Sequence, residues 1–235
     1  VLTLKIEINN YSLNTKIKKS QIGMAMKDTI EGSKNPSELG NVPFNWSDPF
    51  LLYEQISESV GLIKNTAENF ALKELKPRIE KAYNDELVDK EIFQRMGETG
   101  FLGCTIPEEY GGIGSSYVSY GLIAREIERI DSGYRSMMSV QSSLVMYPIY
   151  KFGNENQRKK FLPRLASGDL IGCFGLTEAN SGSDPASMTT KAIKVDGGYE
   201  ITGSKMWISN APIADIFIIW AKSNYHQNKN HLIQS

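Results

Sequence analysis

From Ser57 onward the apolar positions Val60, Ile63, Ala67, Phe70, Ala71 and Leu75 recur at spacings of three and four, the pattern of one buried face of an amphipathic helix. Pro77 has no amide hydrogen to give to a helix ladder and is expected to end or bend it. A second helix is predicted to open at Asp89, a good N-cap, to carry Ile92, Phe93 and Met96 on one side, and to stop among Gly97 to Gly100. A third runs from about Ser116 with Val118, Leu122, Ile123, Ile127 and Ile130 in register. Residues 132–150 read as a fourth, buried helix, with Met137, Val140, Leu144 and Val145 at helical spacing and a kink at Pro148. Gly153 reads as its C-cap, and Asn154 followed three residues later by Gln157 is a capping-box signal for a short fifth helix reaching Leu165.

Beyond Gly168 the period changes. Short β-rich runs follow at 170–176, 191–195, 199–202, 206–209 and 213–220, and Asp196-Gly197-Gly198 between two of them is a hairpin signal. Helices first and strands afterwards predict an α+β chain: an all-helical N-terminal domain over 44–169, then the start of an antiparallel β-domain over 170–235. Residues 1–43 mix Asn, Ser, Lys and Gly with little helical period, and are expected to form a poorly structured extension outside the fold. That segment begins with Val1, holds Met24 and Met26 inside it, and lacks both a secretory apolar region and any arginine. Translated upstream sequence is expected there, and a mitochondrial transit peptide is not.

Composition narrows the function classes. Twenty-six basic side chains balance twenty-seven acidic ones with no long run of either sign, which argues against nucleic acid as a partner. No apolar stretch reaches the roughly 18–20 residues of a membrane span. Cys104 and Cys173 lie too far apart for a CxxC pair and suit a reducing compartment. The only histidines, His226 and His231, sit in the polar tail, so neither a Ser-His-Asp triad nor a histidine metal site is available to the folded part. Gly112-Ile113-Gly114 lacks the third glycine of a dinucleotide fingerprint. In Gly198 to Lys205 the lysine follows the serine, the reverse of a P-loop.

Two segments remain as candidate chemistry. Leu176 to Pro185 (LTEANSGSDP) combines small hydroxyl residues with one glycine, so its backbone could approach a ligand and its amides could meet anionic oxygens; taken alone it reads as a surface turn. Trp207-Ile208-Ser209-Asn210 taken alone reads as a strand with an aromatic packed in the core. In order, Phe174 to Pro185 and then Gly203 to Asn210 resemble the flavin-binding β-domain of the acyl-CoA dehydrogenases. Arg125 to Met146 (REIERIDSGYRSMMSVQSSLVM) and Phe44 to Pro49 are similar to the glutaryl-CoA dehydrogenase branch of that family, with Tyr134-Arg135-Ser136 the most specific element. The resemblance covers about 44–221.

The resemblance implies an enzyme that binds FAD and an acyl-CoA thioester, glutaryl-CoA in this branch. A glutamate removes the α-proton, a hydride leaves for flavin N5, and decarboxylation yields crotonyl-CoA. It implies that Phe174, Gly175, Leu176, Thr177, Glu178, Ala179, Asn180, Ser181, Gly182 and Ser183 run along the flavin, with the Thr177 hydroxyl at the ring and Gly182 and Ser183 near phosphate or CoA. Trp207 would pack on the isoalloxazine, Ile208 would belong to the same cofactor-binding segment, and the Ser209 hydroxyl would approach N5. Arg135, flanked by Ser136, would meet the distal carboxylate, a planar acceptor suited to a guanidinium, and Ser183 would add a second contact to the substrate.

The family's glutamate base and C-terminal helical bundle are expected outside this chain, so no catalytic residue is expected within it, and the polar run from Ser223 to Ser235 departs from the family pattern. Electron-transfer flavoprotein as electron acceptor, a homotetramer, and a bacterial cytoplasm or mitochondrial matrix are likewise implied. Another acyl-CoA dehydrogenase, or a non-catalytic paralogue that binds acyl-CoA or a partner, are the alternatives.

Overall fold

A computed structural model describes residues 5–7, 44–46, 48–223 and 232–233. Asp48 begins the helical layer, its carboxylate accepting from the amides of Leu52 and Tyr53, both at 2.9 Å. Helix α1 (Glu58–Phe70) opens where Ser57 Oγ accepts from the Val60 amide. The chain then loosens to a π-helical turn over Ala71–Leu75, tightens to a 3-10 turn over Lys76–Arg78 and resumes as α2 (Ile79–Asp85). Pro77 therefore bends the helix through a change of winding and does not end it. Helix α3 (Glu91–Glu98) buries Ile92, Phe93 and Met96; Asp89 Oδ1 accepts from the Glu91 amide, while Lys90 occupies the N-cap.

Helix α4 (Tyr117–Glu128) is capped by Ser116 and buries Ser119, Ile123, Glu126 and Ile127. Val118, expected on the buried face, is exposed. Glu126 takes the inward place because Arg125 and Arg129 neutralise its two oxygens at 2.6 and 3.0 Å. The predicted fourth helix is three pieces: α5 (Ser132–Ser139) capped by Asp131, a π-helical segment Val140–Met146, and α6 (Tyr147–Phe152) with Pro148 in its first turn. The wider π turn shifts the inward face, so Gln141, Ser142, Val145 and Met146 are buried and Leu144 is not. Helix α7 (Glu155–Ala166) has the capping box in full, with both Asn154 and Gln157 bonds present.

The helices enclose two apolar clusters. One joins Phe70, Leu75, Phe93, Met96, Ile127 and Met138; the other joins Ile106, Val145, Met146, Leu162, Leu165 and Leu170. Each fully buried side chain of this size contributes roughly 1.5–3 kcal/mol. No helix among the described residues is long and apolar enough to cross a membrane.

Among the described residues the strands form two sheets. β3 (Lys191–Val195) and β4 (Gly198–Thr202) are an antiparallel hairpin closed by Asp196 and Gly197, and only Gly197 there takes a positive φ, 81°. The larger sheet runs β1-β4-β3-β6-β7, where β1 is Lys5–Glu7, β6 Ala221–Ser223 and β7 Leu232–Ile233. Residues 5–7, expected outside the fold, pair antiparallel with β4; the rest of 1–43 lies outside the described residues, as do His226 and His231. The antiparallel expectation holds for the hairpin and the two outer pairs, but β3 with β6 and β2 (Gly172–Gly175) with β5 (Ile216–Ile219) run parallel. Long connections permit this, since a parallel pair cannot be closed by a tight turn. Ile213, expected in a strand, lies in a 3-10 turn, and residues 206–209, also expected as a strand, form a loop.

Candidate functional site

The helical layer and β2 meet at Gln141, which is fully buried. Its Nε2 donates to the carbonyls of Leu165 (3.0 Å) and Leu170 (2.7 Å), and its Oε1 accepts from the Gly172 amide (2.8 Å). Gly172 allows the approach: a Cβ there would lie 2.4 Å from Val145 Cγ1. Asp215 ties β5 to the same place by accepting from the Ile171 amide at 2.9 Å. Sequence reasoning missed both. The available signal at 141 was one large amide side chain among small serines in a stretch whose apolar period reads as a buried helix.

Two loops leave this frame and are stitched to each other. The first follows β2, and its Glu178 and Ser181 backbones exchange hydrogen bonds of 3.2 and 3.1 Å, closing a tight turn over Ala179 and Asn180. The second is 203–210. The Met206 amide donates to Thr177 O at 2.8 Å, and Lys205 Nζ donates to Leu176 O and to Glu178 Oε1, both at 2.9 Å. At its far end Asn210 Nδ2 donates to Gly172 O at 3.2 Å.

Between these anchors Trp207 has φ 60° and its side chain is 84% exposed. A left-handed backbone costs a bulky residue about 1–2 kcal/mol, and an exposed indole gains nothing from burial in return. Trp207 is thus not the core strand residue that its pattern suggests. The positive φ also breaks the strand predicted for 206–209.

The resemblance grouped all of 174–183 along one ligand, and the structure divides them. Glu178 points inward: its carboxylate accepts from the Thr189 amide (2.7 Å) and hydroxyl (2.8 Å), the Thr190 amide (3.0 Å) and hydroxyl, and Lys205. Burial pushes its pKa up, but the bonds from Thr189, Thr190 and Lys205 outweigh it and hold the carboxyl well below the usual range. Ser181 is also inward, buried, with its Oγ 3.0 Å from Ser187 Oγ. Phe174 and Gly175 are occupied in the β2–β5 ladder, and the Phe174 ring meets Trp220 edge-on at 5.8 Å.

Outward lie Ala179, Asn180, Gly182, Ser183 and Ser209, with Leu176, Thr177 and Ile208 half-buried. Open space surrounds Gly182, where an added Cβ would meet nothing within 4 Å. The side-chain hydroxyls of Thr177, Ser183 and Ser209 have no protein partner among the described residues.

In the helical layer, Arg135 and Ser136 are half-buried on the first turns of α5. The Arg135 Nε donates to Glu128 Oε2 at 2.5 Å, which leaves its two terminal nitrogens for another acceptor.

Residues 57–169 match the N-terminal domain, and residues 173–233 the middle domain, of acyl-CoA dehydrogenase. The chain belongs to the acyl-CoA dehydrogenase family. An acyl-CoA dehydrogenase of Bacillus subtilis (strain 168) is 39% identical over 175 residues, which cover 74% of this chain and 46% of that protein. A glutaryl-CoA dehydrogenase from Mycobacterium smegmatis, solved in complex with FADH2, superposes with a TM-score of 0.70 at 41% identity, covering 72% of this chain and 44% of that one. Butyryl-CoA dehydrogenase from Megasphaera elsdenii superposes with a TM-score of 0.69 at 33% identity, covering 77% and 49%. The chain therefore spans less than half the length of these acyl-CoA dehydrogenases. Two relatives named for different acyl groups match its shape equally well, so the fold does not choose between their substrates.

Proposed function

We propose that this chain supplies the helical and flavin-facing part of an FAD-dependent dehydrogenase that oxidises, and decarboxylates, glutaryl-CoA. The observation that carries the flavin reading is Trp207, an exposed indole in a left-handed backbone next to Met206, whose amide donates to Thr177 O. Strain of this kind persists where the surroundings impose it, and an uncovered aromatic face suits a planar ring. FAD, when bound, supplies the hydride acceptor. Trp207 and Ile208 pack on its ring, Thr177 and Ser209 offer free hydroxyl donors, and Gly182 and Ser183 face phosphate or CoA. Glu178 and Ser181 hold the loop and do not touch the ligand.

Arg135 carries the substrate reading. With Nε spent on Glu128, its terminal nitrogens remain for the distal carboxylate of the acyl group, and Ser136 and Ser183 add contacts to the substrate. No residue of this chain is assigned as the base. Electrons pass to electron-transfer flavoprotein, and the assembly is a homotetramer, as the family resemblance implies. The Arg135–Glu128 pair also supports a second reading, in which the guanidinium is already neutralised and the acyl chain is uncharged.

The test compares glutaryl-CoA with butyryl-CoA in the holoenzyme carrying Arg135→Ala. One-sided loss of a desolvated charge pair costs about 2–5 kcal/mol, so kcat/KM for glutaryl-CoA should fall roughly thirtyfold or more and that for butyryl-CoA far less. Equal losses on both would remove the carboxylate role and leave the neutral substrate.

A further inference from the structure

Lys205 precedes the strained Trp207 by two positions, and its side chain is only 10% exposed. A buried ammonium needs a reason, because replacing a buried ion pair by apolar groups is often neutral or stabilising. Here its partners are what distinguish it. Nζ reaches the main-chain oxygen before Thr177, at Leu176, and the side chain after it, at Glu178. The next residue along, Met206, takes the oxygen of Thr177 itself. Three consecutive residues of the first loop are thus held by two consecutive residues of the second. Glu178 extends the link to a third segment, since its remaining acceptor sites are filled by Thr189 and Thr190 just before β3.

We infer that Lys205 is a positioning residue: it locks the second loop onto the first, and so sets Thr177 and Trp207 at a fixed spacing before any ligand arrives. The inference rests on the flavin reading above for what the two residues face, and on the hydrogen bonds alone for the lock. Preorganisation of this kind spares the ligand the cost of ordering the loops. The charge matters as well as the shape. A Glu178 amide would turn its NH2 against a backbone N–H of Thr189 or Thr190, and Lys205 without Glu178 would be a buried charge facing one carbonyl.

The experiment uses Lys205→Met and the milder Lys205→Gln in the holoenzyme, with residue-resolved amide exchange and titration of the FAD-stripped protein with FAD. The Met206 amide should lose protection by about tenfold or more in Lys205→Met and by less in Lys205→Gln, while the amides of Asp215 and Ile216, bonded to Ile171 O, keep theirs. FAD affinity should fall in the same order, by about tenfold in Lys205→Met.

Unchanged Met206 protection overturns the lock. Loss of protection at Asp215 and Ile216 together with Met206, in both variants, shows general destabilisation and overturns it too. Local loss at Met206 with FAD affinity within about twofold of the unsubstituted protein removes the positioning role. Failure of the unsubstituted protein to bind FAD sinks the flavin reading instead, with the Met206 amide still deciding whether Lys205 joins the loops.

Discussion

Gln141→Leu isolates the contribution of the junction between helices and sheet. Leucine is close to glutamine in volume, so the cavity left behind is small and the effect comes from hydrogen bonding. Of the three groups that Gln141 serves, Leu165 O keeps a second donor in the Gly168 amide at 3.3 Å. Leu170 O and the Gly172 amide keep none among the described residues, and both face a buried side chain. An orphaned buried group costs about 1–3 kcal/mol, so the substitution should cost roughly 2–6 kcal/mol. Against a typical domain stability of about 5–15 kcal/mol, that is a large share.

Urea unfolding of the apoprotein, followed by far-ultraviolet circular dichroism, measures the change as a shift of midpoint. The Gly172 amide should also exchange faster, because its acceptor is gone. A loss below about 1 kcal/mol would mean that the junction relaxes or admits water, and that Gln141 is not the tie between the two layers.

Trp207→Asn should leave the apoprotein as stable as before or stabilise it by up to about 1 kcal/mol, since asparagine tolerates the left-handed region and little buried area is lost. The same variant should bind FAD roughly tenfold more weakly through the lost ring contact; a clear drop in apoprotein melting temperature would show instead that the indole supports the fold. Burial pushes the thiols of Cys104 and Cys173 up to about 11. At pH 8 only about a thousandth of each should be thiolate, so iodoacetamide should label the folded protein slowly and the urea-unfolded protein fast. Rapid stoichiometric labelling of the folded state would contradict the packing around both.

What the sequence displays well is local. The starts expected near Ser57 and Ser116 hold, whereas the N-cap expected at Asp89 falls on Lys90, and the capping box of Asn154 with Gln157 is read directly because it depends on residues three apart. The hairpin at Asp196 and Gly197 was legible for the same reason. Val118 and Leu144 leave the buried face that a regular period gives them, because α4 buries an ion-paired Glu126 and the fourth helix widens to a π turn. Residues 206–209 alternate like a strand, yet their conformation is imposed by Thr177 and Gly172, about 30 residues away or more in the chain.

The candidate site shows the same division more sharply. An ordered pair of motifs was enough to point to a flavin-binding domain, but a motif carries no direction: in a strand, alternate residues face opposite ways, whereas in a turn nothing periodic tells which side chains face the ligand. Glu178 and Thr177 are neighbours in different surroundings, the first buried and the second half-buried. Glu178 became an internal anchor only when Thr189, Thr190 and Lys205 closed around it, at separations of 11, 12 and 27 residues. A carboxylate with those five donors is more stable inward than in water, and Thr177, with its carbonyl fixed by Met206, is left with its hydroxyl free. The inward residues thus determine where the outward ones stand, and Lys205, which the sequence shows only as the misplaced lysine of a failed P-loop match, is the link between them.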